Sequence, residues 1–196
     1  MKKLTILSLI LFNLIFHSNS FANNIFDIKL DGISIGDSLL KHFNISEIKK
    51  WEKTYYPKSK KFILIESNNT SLERYDSISF HVKENDSDYI IYEMSANKFF
   101  GKENIDLCLD LKDKIVEENI KLYKNIETSN YEFIYDYVDD GKSIAYITDF
   151  EIEKGTIRIY CVDWSLITEE KRNFGDNLSY GINSDRFMDW IQNEAH

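Results

Sequence analysis

From residue 24 onward the apolar positions follow two periods, one helical and one extended, and the two occur in blocks. The longest helical block is Glu103 to Tyr123. Ile105, Cys108, Leu109, Leu111, Ile115, Val116, Leu122 and Tyr123 recur there at spacings of three and four, which makes one broad apolar helix face. Asp110 and Lys114, and Glu117 and Lys121, are acid-before-base pairs on the other side. Period-two runs flank this block. Before it come 61–66, then 76–83 with Ile78, Phe80 and Val82 on one face, then 88–97 after the turn at 84–87. After it come 131–138 and 143–152, separated by the turn residues Asp139, Asp140 and Gly141. A run over 156–162 then places Ile157, Ile159 and Cys161 on one face.

The ends of the chain add shorter helices. Gly36 permits a turn after the extended Ile33–Ile35, and Asp37 or Ser38 can cap the helix that follows. Leu39, Leu40 and Phe43 form its apolar side, and Ile48 and Trp51 face inward from a second turn of helix. Ser184 caps a last helix carrying Phe187, Trp190 and Ile191, and 177–182 is compatible with one more strand. The order reads α-βββ-α-βββ-α. This predicts an α+β fold, an antiparallel sheet with helices on one face. The similar lengths of 33–100 and 101–196 are consistent with two fused αβββ units within a single domain spanning 23–196.

The first 22 residues read differently. Lys2 and Lys3 precede an apolar run from Leu4 to Phe16, and Ser20-Phe21-Ala22 places small residues where a signal peptidase reads. This predicts a signal peptide over 1–22 and a periplasmic or secreted product. Position 23 is Asn, which excludes a lipid-anchored cysteine there. Removing 22 of the 196 residues leaves 174, and losing Lys2 and Lys3 takes the formal charge from −9 to −11. That field repels phosphate backbones and anionic lipid. The expectation is a soluble chain that binds no nucleic acid and inserts in no membrane after cleavage.

Two cysteines in an exported chain invite a disulfide. Cys108 is on the apolar face of the central helix and Cys161 on the apolar face of a late strand, so both point into one core. Neither has a CxxC partner or a neighbouring histidine, so a redox, nucleophilic or zinc role lacks support. Gly36-Asp37-Ser38-Leu39 spells the GDSL block of a family of esterases. The Asp-x-x-His and Gly-x-Asn-Asp blocks that complete those sites are missing from the sequence, and helix capping accounts for Asp37 and Ser38. The acidic turns at 85–88 and 139–141 lack the register of a calcium loop. No cofactor motif occurs.

Aromatic residues are the compositional oddity, at 14%. Trp51, Tyr55 and Tyr56 cluster. Tyr131, Tyr135 and Tyr137 are read as one face of a strand, with Phe133 opposite and the tyrosines facing the core. Exposed instead, such a stripe would bind a protein, a glycan or a small aromatic ligand.

The segment Ile33 to Ser38, the short amphipathic helix after it, Cys108 in a long helix and Cys161 in a strand resemble an uncharacterised family of small exported proteins from AT-rich marine bacteria. The turn at Gly36 between strand and helix also looks like the BamE/SmpA and β-lactamase-inhibitor-protein type of module. That likeness implies helices preceding an antiparallel sheet and tandem fusion of two units; it carries over no contact residue. The functional expectation is an exported binding or protein-interaction module without catalytic activity, whose partner is an envelope or secreted protein. The alternatives are a periplasmic small-ligand carrier and, further off, an esterase built on Ser38.

Overall fold

The computed structural model describes residues 24–68, 72–136, 139 and 141–195. The predicted signal peptide and Tyr137 lie outside the described residues. Four strands come first: β1 (Glu52–Tyr55), β2 (Phe62–Ser67), β3 (Ser77–Lys83) and β4 (Ile91–Gly101), preceded by the single-turn helix α1 (Ile45–Ile48). The long helix α2 (Ile105–Leu122) leads into β5 (Thr128–Tyr135), β6 (Ser143–Ile152) and β7 (Gly155–Asp163). Helix α3 (Leu166–Arg172), β8 (Asp176–Ser184) and α4 (Asp185–Asn193) close the chain. The strands form one sheet in the order β1-β2-β3-β4-β8-β7-β6-β5, antiparallel throughout. Two four-stranded meanders therefore abut along β4 and β8.

The α+β antiparallel architecture matches the pattern of the sequence, and each half carries four strands instead of three. Strand β1 (EKTY) is exposed at every position, so it has no apolar alternation to betray it. Strand β8 does alternate: Leu178 and Ile182 are fully buried on one face, with Tyr180 between them, while Asn177, Ser179, Gly181 and Asn183 line the other.

Period two sorts the sheet into two unlike faces. One is apolar: Ile65, Phe80, Met94, Ile157 and Ile159 are all fully buried, with Ile78 and Ile182 beside them. Each such side chain contributes about 1.5–3 kcal/mol by leaving water. Helix α2 covers β7, β8 and β4 on this side. The N-terminal segment covers the rest, with Leu39 and Ile48 buried and Trp51 stacked 6.0 Å from Phe80. Ser38 caps a 3-10 turn at Leu39–Lys41 and Gly36 takes φ 85°, as the capping argument requires.

Cys108 and Cys161 meet in this core with Cα atoms 6.0 Å apart and their sulfurs at disulfide-bonding distance, tying α2 to β7. The face that α2 buries is narrower than its apolar pattern suggests. Cys108, Lys112, Ile115 and Asn119 are buried, whereas Leu122 is 57% exposed. Asn119 is satisfied there by the Ile115 carbonyl and the Tyr180 hydroxyl. Lys112 is buried, and that burial pushes its amine below the usual lysine range. The ion pair that α2 makes is Arg74–Glu118 at 2.7 Å, which ties the helix to the loop before β3. The expected Asp110–Lys114 and Glu117–Lys121 pairs are not among the ion pairs of the described residues.

Helix α4 departs from the expectation of helices on one face. Ser184 caps it, accepting from the Phe187 N–H at 3.3 Å and donating to the Tyr92 carbonyl at 2.7 Å. The helix then turns onto the face opposite α2, where Phe187 and Trp190 pack on Phe62 of β2. Its position bounds the site described next.

Candidate functional site

The second face of the sheet is the floor of a cleft of about 900 Å³. Alternation sends Ser79 and His81 of β3, Glu93, Ser95 and Asn97 of β4, and Asn177, Ser179, Gly181 and Asn183 of β8 to this side. Arg158 and Tyr160 of β7 and Ile147 of β6 continue the floor. Met188, Ile191 and Gln192 of α4 wall one side. Tyr131, Phe133 and Tyr135 of β5, with Trp164 and Phe174 from the segments around α3, wall the other.

One end of the floor holds a buried chain of hydrogen bonds. His81 Nδ1 is 2.5 Å from Glu93 Oε2, and His81 Nε2 is 2.7 Å from the Tyr56 hydroxyl. The two side chains of the His81–Glu93 pair are only 8% and 6% exposed. In the neutral ring, Nδ1–H donates to the carboxylate and Nε2 accepts from the phenol, a tautomer assigned from the network. Burial, reinforced by the Glu93 charge, pushes the Tyr56 phenol well up, so it stays a donor. A β-bulge beside His81 sets the geometry. It turns Tyr92 onto Phe62, rings 4.9 Å apart, while Glu93 reaches His81. From α4, Phe187 closes over His81 with ring centroids 4.4 Å apart.

The middle of the floor is neutral and small. Ser79 and Ser95 share a hydrogen bond at 3.0 Å. Asn97 donates to the hydroxyls of Ser77 and Ser79. Toward β5 the guanidinium of Arg158 donates twice to Asp149, both at 2.8 Å, and once to the Tyr131 hydroxyl, which in turn donates to Asp149. Burial pushes the Tyr131 phenol up to about 12.

The far wall is aromatic. Trp164 stacks on Tyr135 at 5.3 Å and 25°, touches Phe174 at 4.9 Å, and donates from its indole to Asn177 at 3.2 Å. Phe133 meets Tyr135 edge-on at 5.1 Å. Tyr131, Phe133 and Phe174 are 41%, 44% and 40% exposed, so this wall is open. Two sequence-based expectations are corrected here. Tyr131 and Tyr135 face the cleft and not the main core under α2: β5 is an edge strand, Tyr131 is exposed, and Tyr135 packs on the small cluster of Ala145, Ile147 and Val162. Phe133 shares their face, since residues two apart in a strand point the same way.

The other candidates lie elsewhere. Cys108 and Cys161 belong to the opposite face. Ser38 accepts from Leu40 N–H and donates to the Asp88 carbonyl at 2.5 Å, and His42 sits 3.3 Å from Asp37; both serve a helix cap. The Asp86 carboxylate accepts from the backbone N–H groups of Asp88 and Ile90, and Asp139 pairs with Arg172, so both acidic turns spend these groups on local structure. The polar floor escaped sequence reasoning. Its signal is the Ser/Asn/Gly set that alternates with apolar residues in β3, β4 and β8, a pattern that also describes a solvated sheet face. No protein-family model, no curated protein and no solved structure matches this chain.

Proposed function

We propose that the protein is an exported binding module, without chemistry of its own, that holds a small ligand in the cleft of its sheet. The cleft carries the reading. Its volume of about 900 Å³ sits within the roughly 300–1,000 Å³ of small-molecule sites, and it joins aromatic walls to a few convergent polar groups as such sites do. The N-terminal signal pattern and the paired cysteines support export to a periplasmic or extracellular setting. In the Glu93–His81–Tyr56 chain both ring nitrogens of His81 are bonded within the protein, which suits a rigid floor.

A thermal-shift and ligand-detected NMR screen of the mature chain against neutral sugars, amino acids, nucleosides and fatty acids tests the reading. A ligand at about 100 times its Kd contributes about 2.7 kcal/mol, and the filled-cleft variant Met188→Trp should lose that response. If no class binds, or if Met188→Trp binds as well as the parent, the reading fails. A loop of an envelope or secreted protein is the second reading, favoured by the open aromatic rim beside the uncovered edge of β5. It predicts a stoichiometric complex that the same variant abolishes.

A further inference from the structure

We infer that the ligand is a neutral saccharide, seated on the aromatic wall with its hydroxyls reaching Asn97 and Asn177. The inference rests on the cleft being the binding site and names the chemistry of the occupant.

Charge in the cleft decides first. Four ionisable residues other than tyrosine line it: Glu66, His81, Glu93 and Arg158. Each is engaged within the protein. Glu66 accepts from the Ser77 hydroxyl at 2.6 Å, His81 is bonded to Glu93, and Arg158 holds Asp149 through two nitrogens. An anion at Arg158 would approach against the charge of Asp149, and an ammonium at Glu66 or Glu93 would share a carboxylate with Ser77 or His81. Breaking a partnered charge in a desolvated site is costly. The formal charge of −9 further disfavours an anion. A neutral ligand leaves every pair intact.

The neutral groups then select among uncharged ligands. The Asn97 amide nitrogen is used by two serine hydroxyls, which leaves its carbonyl as an acceptor. The Asn177 carbonyl takes the indole N–H of Trp164, which leaves its amide as a donor. Asn97 pairs with Ser179 and Phe99 with Asn177, so Asn97 and Asn177 are diagonal neighbours across β4 and β8. An acceptor and a donor at that spacing, beside an aromatic wall, match the hydroxyl rim and the C–H face of a sugar ring. The wall itself is unsuited to a flat heterocycle. Tyr135 already stacks on Trp164 and Phe174 is tilted 55° to it, so no parallel-sided slot remains.

The test is titration of the mature chain, by calorimetry and tryptophan fluorescence, with tetramers of β-1,4-glucose, α-1,4-glucose and β-1,4-N-acetylglucosamine. Adenosine, free tryptophan and a neutral tetrapeptide are the comparison arms. Trp51 and Trp190 lie outside the aromatic wall, so a fluorescence change should persist in Trp51→Phe and vanish in Trp164→Phe. The expected result is saturable binding of at least one tetramer. Trp164→Ala should weaken its Kd by about tenfold or more, and so should Phe174→Ser, a change at an exposed loop position that spares the fold. Saturable binding confined to a comparison arm overturns the saccharide and leaves the cleft reading standing. A saccharide held equally by parent, Trp164→Ala and Phe174→Ser overturns the assigned seat. Binding of none of the six sinks the saccharide, and the broader screen above then decides the cleft reading separately.

Discussion

Reduction of the Cys108–Cys161 link should cost about 4 kcal/mol. The two residues are 53 apart in sequence, and cross-linking a loop of that length removes about 14 cal/mol/K of entropy from the unfolded chain, or about 4 kcal/mol at 25 °C. Domains of this size are stable by about 5–15 kcal/mol, so the link is a large share of the whole. Both cysteines are fully buried, so alanine substitutions would add a cavity cost; reductant is the cleaner perturbation. Urea titrations equilibrated with and without a phosphine reductant should differ in midpoint by about 1.3–2 M, taking a slope of about 2–3 kcal/mol/M. The melting temperature should fall by about 8–16 °C. Two reactive thiols in the unfolded, unreduced chain would refute the bond itself. A bond that is present but whose reduction moves the midpoint by less than about 0.3 M would refute the chain-entropy reasoning.

Other outcomes follow from the same structure. Glu93→Ala leaves the buried His81 N–H without its acceptor and should cost about 1–3 kcal/mol, whereas the double change of Glu93 and His81 to leucine should cost less, as read by urea midpoints. Lys112→Met keeps the stem and removes the amine. Burial lowers the lysine's folded-state pKa, so the penalty is full below that pKa and gone above the unfolded value. The variant should therefore melt higher at pH 7, with the gain fading as pH rises through the lowered folded-state value and gone above about 10.4. Gly155→Ala would place a Cβ 2.2 Å from the Asn183 carbonyl and 2.7 Å from Ile25; calorimetry should show a loss of about 1–3 kcal/mol or more. Ser38→Ala should cost about 1 kcal/mol by removing a cap and leave turnover of a nitrophenyl ester unchanged.

The central helix, its link to Cys161, the Gly36 turn and most of the strands are legible in the sequence because each has a one-dimensional signature: spacing, capping chemistry or alternation. What escaped has none. Strand β1 is an exposed edge whose pairing is set by β2. Lys112 and Asn119 occupy the centre of the buried stripe of α2, and no residue-type rule puts a lysine there. The cleft is the clearest case. The sequence shows Ser79, Ser95, Ser179 and Gly181 as ordinary outward positions, and only the sheet order brings them side by side. That β4 neighbours β8 is a long-range fact, and with it goes the juxtaposition of Asn97 and Asn177. The rim was half legible: the aromatic run over 131–135 was visible, but not that the strand would be the last in the sheet.

The seam between β4 and β8 also sets the order in which the molecule can assemble. Strand β8 is made after β4 and β7, and it belongs between them in the middle of the sheet. Until it arrives, β4 presents an open edge bearing Met94 and Ala96, and β7 presents another bearing Ile157 and Ile159. Neither meander is complete as a sheet with closed flanks, and unpaired apolar edges are sticky. The joining contacts span some 85 positions of chain, so closing them is slow compared with hairpin formation. Folding can thus finish only when β8 is free to thread in. A chain that crosses a membrane unfolded meets that condition on release, and a truncation removing β8 should leave two aggregation-prone halves where there was one sheet.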